Sequence, residues 1–379
     1  MTEARRQSDD RLRLTRLARG LSQGDLARTA GVTRQAISGI ESGRWSPSLE
    51  VALSLASAVD STVEELFGSA VDSPPVRGRL AVLSEPPTSK GDGRLLLAEV
   101  AGDVVAFPLT GDHTMVPGFV PALASGPVAL DPSNGSGPRP RGNRARDVEV
   151  RRVAAPTPTL AVAGCDPALA LLLGPLQRHD PPVNLAWWSS HNSSALELLE
   201  AGAVHAAALH RGIESRTRAR PGIEIVGFAS WREGLAIHPR HRDRVHDLAD
   251  VVRQGLRIVN RPAGSEARRL LDSELSRLKL DPGQVKGYAT EASAHLLAAS
   301  GIASGMVDAA VTCEPAALAY GLEFVAWQHE LSELHIPRSL VGTVEVRALL
   351  DVLAGRELPA QLAALEGYDA DPCGRILAA

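Results

Sequence analysis

Residues 22–46 read SQGDLARTAGVTRQAISGIESGRWS, and no other stretch constrains the fold as tightly. Small and apolar residues fall at Leu26, Ala27, Ala30, Val32, Ala36, Ile37 and Ile40, the spacing of two short helices that pack on each other. Between them, Gly31 supplies the positive φ of a sharp turn. Thr33 stands where a helix N-cap belongs, with a side-chain oxygen able to accept an orphan backbone N–H. Two short helices, a glycine turn and a capped second helix make a helix-turn-helix. A second helix held in this way fits the major groove of DNA.

The motifs extend further. Gln23, Ala27, Gly31, the Thr33-Arg34-Gln35 opening, Ile40-Glu41-Ser42-Gly43, Trp45-Ser46-Pro47-Ser48 and Leu55-Ala56 follow one another in order. On these residues, positions 10–67 resemble the DNA-binding domain of phage-type repressors, the XRE or Cro/CI family. The resemblance implies that Arg34, Gln35 and Ser38 face base edges and that Gln23, Thr33, Arg44 and Ser46 hold phosphates. Arginine bidentate to guanine and glutamine bidentate to adenine are the usual readers, whereas phosphate contacts set register. Gly39 departs from the family, which often places a longer reading side chain there.

Charge agrees with this reading. Residues 1–46 carry Arg5, Arg6, Arg11, Arg13, Arg16, Arg19, Arg28, Arg34 and Arg44 against Glu3, Asp9, Asp10, Asp25 and Glu41, while the whole chain has a formal net charge of −4. A local basic segment is the electrostatic footprint of a DNA-binding domain. Arg13, Arg16 and Arg19 read equally as a solvated helix face. A helical protein-interaction domain of the same shape is the competing reading.

At 379 residues, 44% of them hydrophobic, the chain has material for two or three domains. No apolar run approaches the roughly 18 residues of a membrane span, and the arginine-rich start has no apolar signal core. Cys165, Cys313 and Cys373 are too few and too scattered for a disulfide framework or a zinc pattern. The expectation is a cytoplasmic protein with no membrane partner. Aromatic residues make up only 3% of the chain, which argues against stacking on single-stranded nucleic acid.

Past Ser73-Pro74-Pro75, three apolar runs, Leu80–Leu83, Leu95–Val100 and Val104–Phe107, predict a small β-rich subdomain, with a hairpin turn at Gly102-Asp103. Residues 131–146, DPSNGSGPRPRGNRAR, carry turn formers and no apolar period. The predicted organisation is a helix-turn-helix domain at 1–70, a β-rich subdomain at 76–130, a flexible linker at 131–155 and a ligand-sensing domain at 156–379.

That last region alternates strands and helices. Strands are expected at Leu160–Ala163, Val183–Trp187, Ala206–Leu209 and Leu256–Val259, and helices at Ala168–Leu176, Ala195–Glu200 and Glu266–Leu278. This alternation predicts a parallel α/β fold, in which ligands gather where strand ends run into helices. GCDPALALLL, SSALELLEAG, NRPAGSEARRLL, GYATEASAHLLAASGIASGMVDAA and GYDADPCGRI resemble, in order, the periplasmic-binding-protein-like domain of cytoplasmic regulators, whose relatives include molybdate-binding proteins. The resemblance implies two α/β lobes joined by crossing strands around a cleft. The fold class expected is thus multidomain: an all-α helix-turn-helix domain, a small β-rich subdomain, then a two-lobed α/β domain.

Anion binding needs oriented N–H groups, hydroxyls or a guanidinium. Gly164-Cys165-Asp166, Asn192-Ser193-Ser194 and Gly264-Ser265 open three helices, and each also reads as an ordinary N-cap. Arg261 and Arg268 offer forks of donors. Arg268 falls where the relatives end a Ser-Gly-Thr-Arg motif, but here Ser265-Glu266-Ala267-Arg268 brings in a carboxylate and loses a hydroxyl. Tyr288, Glu291 and His295 form a further group, with Glu291 and His295 spaced for one helix face. Asp308 and Glu314 read as supports of a lobe, and His205 and His210 as satisfied or exposed histidines.

The candidate ligand set is therefore Cys165, Asp166, Ser193, Ser194, Arg261, Ser265, Arg268 and Tyr288. No metal site is expected, and no GxSxG nucleophile elbow, P-loop or HExxH is read, so no enzyme is expected either. Together these readings describe a one-component transcription regulator, a homodimer on a double-stranded operator. Its effector would be an oxyanion such as molybdate or tungstate, or a small organic ligand, and no cofactor is required. The alternative is a ligand-independent repressor whose C-terminal domain serves dimerisation or partner binding.

Overall fold

The computed structural model describes residues 12–42, 44–67, 76–81, 92–109, 124–127, 146–153 and 157–378. The readings made at Arg5, Arg6, Arg11, Gly43, Val82, Leu83 and 131–145 lie outside them. Packing divides the chain into two units, residues 1–76 with 151–154, and residues 77–150 with 155–379. Each is taken on its own.

The first unit contains α1 (residues 12–18), α2 (Gln23–Thr29), α3 (Arg34–Glu41), α4 (Leu49–Ala58) and α5 (Val63–Phe67). Ser22 and Asp25 form a reciprocal capping box on α2. Thr33 caps α3 by accepting the Ala36 N–H at 3.1 Å, and Gly31 turns the chain with φ +69°. Leu12, Leu26, Ile37, Leu55 and Leu66 make the core. Beside it lies a buried ion pair. Arg16 Nε and Nη2 donate to Glu41 at 2.6 and 3.1 Å, and Gln23 Nε2 donates to the same carboxylate at 2.8 Å. Arg16 is therefore neither a solvated residue nor a surface for DNA: it is 6% exposed and ties α1 to α3.

The second unit opens with β1 (Val76–Leu80), β2 (Asp92–Val100), β3 (Asp103–Pro108), β4 (Ala124–Pro127) and β5 (Arg146–Arg152), which close a barrel in the order β1-β3-β2-β4-β5. Two sequence expectations are corrected here. The β2–β3 turn is Ala101-Gly102, one residue earlier than predicted, with φ +53° and +86°, the left-handed pair that a two-residue hairpin loop requires. Residues 146–152 are a barrel strand rather than linker. The run Val148–Val150 has the β-branched residues that a strand takes, and the neighbouring Gly, Pro and Arg residues obscured it.

The remaining elements are β6 (Thr159–Gly164), α6 (Leu173–Gln177), β7 (Asn184–Trp188), α7 (Asn192–Glu200), β8 (Ala206–Gly212), β9 (Ile223–Ile237), α8 (Leu248–Arg253), β10 (Ile258–Val259), α9 (Glu266–Leu278), α10 (His295–Ala303), β11 (Ala309–Cys313), α11 (Glu314–Ala319), β12 (Glu323–Pro337), α12 (Val344–Ala354), α13 (Glu357–Ala363), β13 (Tyr368–Asp369) and β14 (Ile376–Ala378). The main sheet runs β10-β11-β9-β12-β8-β6-β7. β6 pairs in parallel with β7 and β8, and β10 with β11. All six residues of β6 are buried, as a parallel strand covered on both faces should be. The predicted helix Ala168–Leu176 is instead a 3-10 turn, Pro167–Leu172, capped by Asp166 and followed by the short α6.

Two antiparallel strands of 15 residues each, β9 and β12, cross between the lobes. One apolar core gathers Leu160–Ala163, Leu198, Phe228, Leu334 and Leu349, and it also takes in Leu96, Val105 and Phe107 of the barrel. Two further cores, around Leu271 and around Ala298, build the second lobe from β10, β11, α9 and α10. Arg79 of the barrel donates to the carbonyls of Ala201 and Gly202 at 3.3 Å. Barrel and first lobe thus share one core.

Candidate ligand site and DNA-reading helix

The crossing strands carry an unusual set of side chains. In β9, Trp231 and Glu233 are two residues apart and so point to the same face of the sheet. Register places Glu330 of β12 and Tyr368 of β13 opposite Trp231, and His210 of β8 opposite Ser332 of β12. Cross-strand partners share a face. One face therefore collects Trp231, Glu233, Glu330, Ser332, His210 and Tyr368. The chain ends that close over it are Cys165-Asp166 after β6, Asn260-Arg261 after β10, and His295 at the start of α10. These are strand-to-helix junctions, where α/β sheets bind ligands.

The group is almost fully dry. Glu233 and Ser332 are 0% exposed, and Trp231, Arg261 and Glu330 are 1% exposed. Some of its polar atoms are well satisfied. Tyr368 donates to Asp166 at 2.7 Å, His210 Nδ1 meets Glu330 at 3.1 Å, and Gln328 holds the other oxygen of Glu330 at 2.6 Å. Asn192, the first residue of α7, clamps the backbone of His210 from both sides, at 2.6 and 3.1 Å. Others have nothing to bond. Of the eight buried side-chain N and O atoms without a hydrogen-bond partner among the described residues, six lie here: Asp166 Oδ2, Trp231 Nε1, both oxygens of Glu233, Arg261 Nε and Ser332 Oγ. Unpaired buried polar atoms cost about 1–3 kcal/mol each, and their concentration here makes this face the candidate ligand site.

Electrostatics follow from this burial. Burial disfavours a charged His210, but Cys165, Glu330 and Glu233 offset it and hold its pKa well above the ordinary histidine range. Burial, reinforced by the positive charges of Arg261 and His210, keeps His295 well below that range. The Cys313 N–H donates to His295 Nδ1 at 3.2 Å. The neutral ring therefore carries its proton on Nε2 and offers a donor. Cys165, His210 and His295 each bring one ligand-type atom within 4.8 Å of the others, as do His210, Glu233 and Glu330. A His295 ring with its only lone pair already taken argues against a metal held by Cys165, His210 and His295. Asp166 is also pushed up, chiefly by burial.

The sequence-predicted ligand residues divide into two groups. Cys165, Asp166 and Arg261 belong to the buried cluster. Ser193, Ser265 and Arg268 line a cavity of about 480 Å³ at the rim, with Glu266, Arg269 and Asp272. Ser193 Oγ donates to the Gly264 carbonyl at 3.2 Å, so the lobes touch there. Glu266 pairs with Arg269 at 2.8 Å within that lining, and its charge adds to those acting on Glu233. Arg268 is held by Asp272 and Glu291 and lies over the Tyr288 ring, 4.2 Å from its centroid. Ser265 caps α9, and Ser194 contacts His191 at 3.1 Å.

Three expectations are corrected at this point. His191, not Asn192 or Ser193, is the N-cap of α7. Glu291 and His295 do not share a helix face, because α10 begins at His295 and Glu291 bridges Asn260 in extended chain. His205 is a satisfied core histidine that accepts the Ala161 N–H, whereas His210 joins the site. Trp231, Glu233, Glu330 and Ser332 were missed altogether. Polar residues are scattered through both strands, β12 above all, so only the register brings these four together.

On the helical unit, Arg34 and Gln35 are exposed in the first turn of α3 and Ser38 is half-buried. Gln23 is engaged with Glu41, Thr33 caps the helix, Arg44 Nε donates to Ser42 at 3.0 Å, and Ser46 is exposed. The missing side chain at Gly39 has a local cause: a Cβ there would lie 2.6 Å from the ring of Trp45.

Comparison with known proteins agrees with this architecture. Residues 12–66 match the family described as Helix-turn-helix, and residues 173–354 match the PBP superfamily domain. An uncharacterized HTH-type transcriptional regulator of Methanocaldococcus jannaschii is 38% identical over 58 residues, which are 15% of this chain and 88% of that protein. The uncharacterized protein YvgK of Bacillus subtilis is 28% identical over 153 residues, 40% of this chain, and the match spans about half (49%) of YvgK. Among solved structures, the effector-binding domain of QuiR in complex with shikimate aligns over 51% of this chain and 93% of its own, at 12% identity and a TM-score of 0.39. Fold and site define a helix-turn-helix protein with a two-lobed α/β domain. The chain belongs to the XRE-type helix-turn-helix transcription regulators and carries a periplasmic-binding-protein-like domain at its C-terminal end. Among the described residues no helix is long and apolar enough to cross a membrane.

Proposed function

We propose that this chain is a one-component regulator in which residues 1–70 bind an operator and residues 156–379 sense a small ligand between the lobes. The concentration of unpaired buried polar atoms on the crossing strands carries this reading. Arg261, Trp231, Ser332 and His210 supply donors for an anion, and the effector is an oxyanion of the molybdate type or a small organic ligand. Ligand contacts drawn from both lobes favour a closed arrangement, and closure can shift operator affinity only by the ligand's differential affinity for the two states. In a homodimer on half-sites roughly 34–36 Å apart, a change of a few ångströms between recognition helices weakens binding. Its place of action is with the DNA, in the cytoplasm.

The test uses the full chain. An operator is first selected from randomised duplex DNA. Arg34→Ala and Gln35→Ala are expected to lower operator affinity by about 1–3 kcal/mol each and to relax specificity at one base position. Molybdate, tungstate, phosphate, sulfate, amino acids and organic acids are then screened by thermal shift, and any ligand found is added to the DNA titration. Equal operator affinity with and without a bound ligand would sink the sensor reading and leave a ligand-independent repressor.

A further inference from the structure

Resting on that effector reading, the unpaired atoms also describe what the ligand must look like. Trp231 Nε1 and Arg261 Nε can only donate, and each is without an acceptor among the described residues. Both oxygens of Glu233 and one of Asp166 accept, and they are without a donor. The two sets are interleaved. Trp231 lies between His210 and Tyr368, with ring centroids 5.4 and 5.8 Å away, and Tyr368 holds Asp166. Ser332 lies close enough to Asp166 to stabilise its carboxylate, so Glu233 is the acceptor with the clearest lack of a donor. Glu233 stands 3.7 Å from His210 Nδ1. A fully deprotonated oxyanion such as sulfate or molybdate brings acceptors only. It would answer Trp231 and Arg261 and leave the carboxylates of Glu233 and Asp166 facing another anion.

We propose that the effector is a small anion that also donates hydrogen bonds, a hydrogen-bearing oxyacid or an amino-acid-like zwitterion, and that Glu233 is the residue that selects it. Glu233 is suited to the task because it is wholly buried, its contact with His210 is too long for a hydrogen bond, and the nearer carboxylate partner of that ring is Glu330. A site with a buried polar group of this kind rejects analogues that leave it unpaired far more strongly than an apolar pocket rejects a missing methylene. Burial, with Glu330 alongside and opposed by His210 and Arg261, pushes Glu233 to about 7. Below that pH the protonated side chain can itself donate to an acceptor-only anion, so the selection is expressed where Glu233 is ionised, above about pH 7.

The experiment titrates the full chain at pH 8 by calorimetry with four probes: sulfate, molybdate, phosphate and L-serine. Wild type is expected to bind phosphate or L-serine roughly tenfold or more tightly than sulfate and molybdate. Glu233→Gln keeps the shape and replaces an acceptor with an N–H donor, so it should reverse the order and gain sulfate or molybdate by a similar factor. Preference for phosphate or for serine tells the oxyacid from the zwitterion. Trp231→Phe, a second variant, should weaken every probe without changing their order. Wild type that binds sulfate or molybdate as well as the others overturns this inference and leaves the effector reading standing. Silence toward all four probes in both wild type and a folded Glu233→Gln overturns this inference, while the effector reading falls only to the operator titration above.

Discussion

Single residues carry most of the cost in this molecule. Arg16 and Glu41 are a buried bidentate pair, and removing one partner from such a pair costs about 3–5 kcal/mol because the other charge is left buried. Glu41→Ala should therefore lower the melting temperature of the helical unit sharply in a calorimetric scan, and Arg16→Met combined with Glu41→Leu should recover much of the loss. Glu233 works in the opposite sense. Its pKa is raised from 4.5 to about 7 by burial, so the folded state is least burdened below the unfolded value, and stability is lost as pH rises through the folded one. Glu233→Gln removes that dependence. Denaturation at pH 5 and pH 8 should find the variant gaining on wild type across the interval. Asp308 is held far below the ordinary carboxylate range despite its burial, by the Arg257 N–H together with Arg240 and His241. It stabilises the second lobe above about pH 4 and ceases to as pH falls from there.

At the level of elements, legibility depended on how local each signal was. Helix α9 is found where it was predicted, Glu266–Leu278, because Ser265 caps it and its apolar residues keep a helical period. Thr33 and Gly31 were legible for the same reason. The segment after Asp166 was misjudged because Pro167 begins a tighter turn, and β5 was lost among linker residues. The site itself was half legible. Cys165, Asp166 and Arg261 sit at strand ends, which sequence can mark, whereas Trp231, Glu233, Glu330 and Ser332 depend on the register of two long strands, which nothing local encodes. The same strands hold Gly234, where a Cβ would collide with the carbonyl of Val325 across the ladder. Gly234→Ala must push β9 from β12, and denaturant titration should show a loss of about 1–3 kcal/mol, with weaker binding of any effector.

For the whole molecule, the proposed effector site and the helix-turn-helix belong to separately packed units. A ligand at a hundredfold excess over its dissociation constant stabilises the unit it occupies by about 2.7 kcal/mol. In a calorimetric scan of the full chain, that shift should fall on the transition of the α/β unit. A shift confined to the helical transition would count against a cleft site. The shared core of barrel and first lobe adds a constraint on motion. Phe107 of the barrel packs against Trp188 of the first lobe with ring centroids 5.6 Å apart, so the two are one mechanical body. In the closure proposed above, the travelling part is the second lobe, carried on two strands. Seen by an optical ruler, a dye pair placed on the barrel and the first lobe would stay mute through such a closure, and a dye on a second-lobe helix such as α9 or α10 would register it.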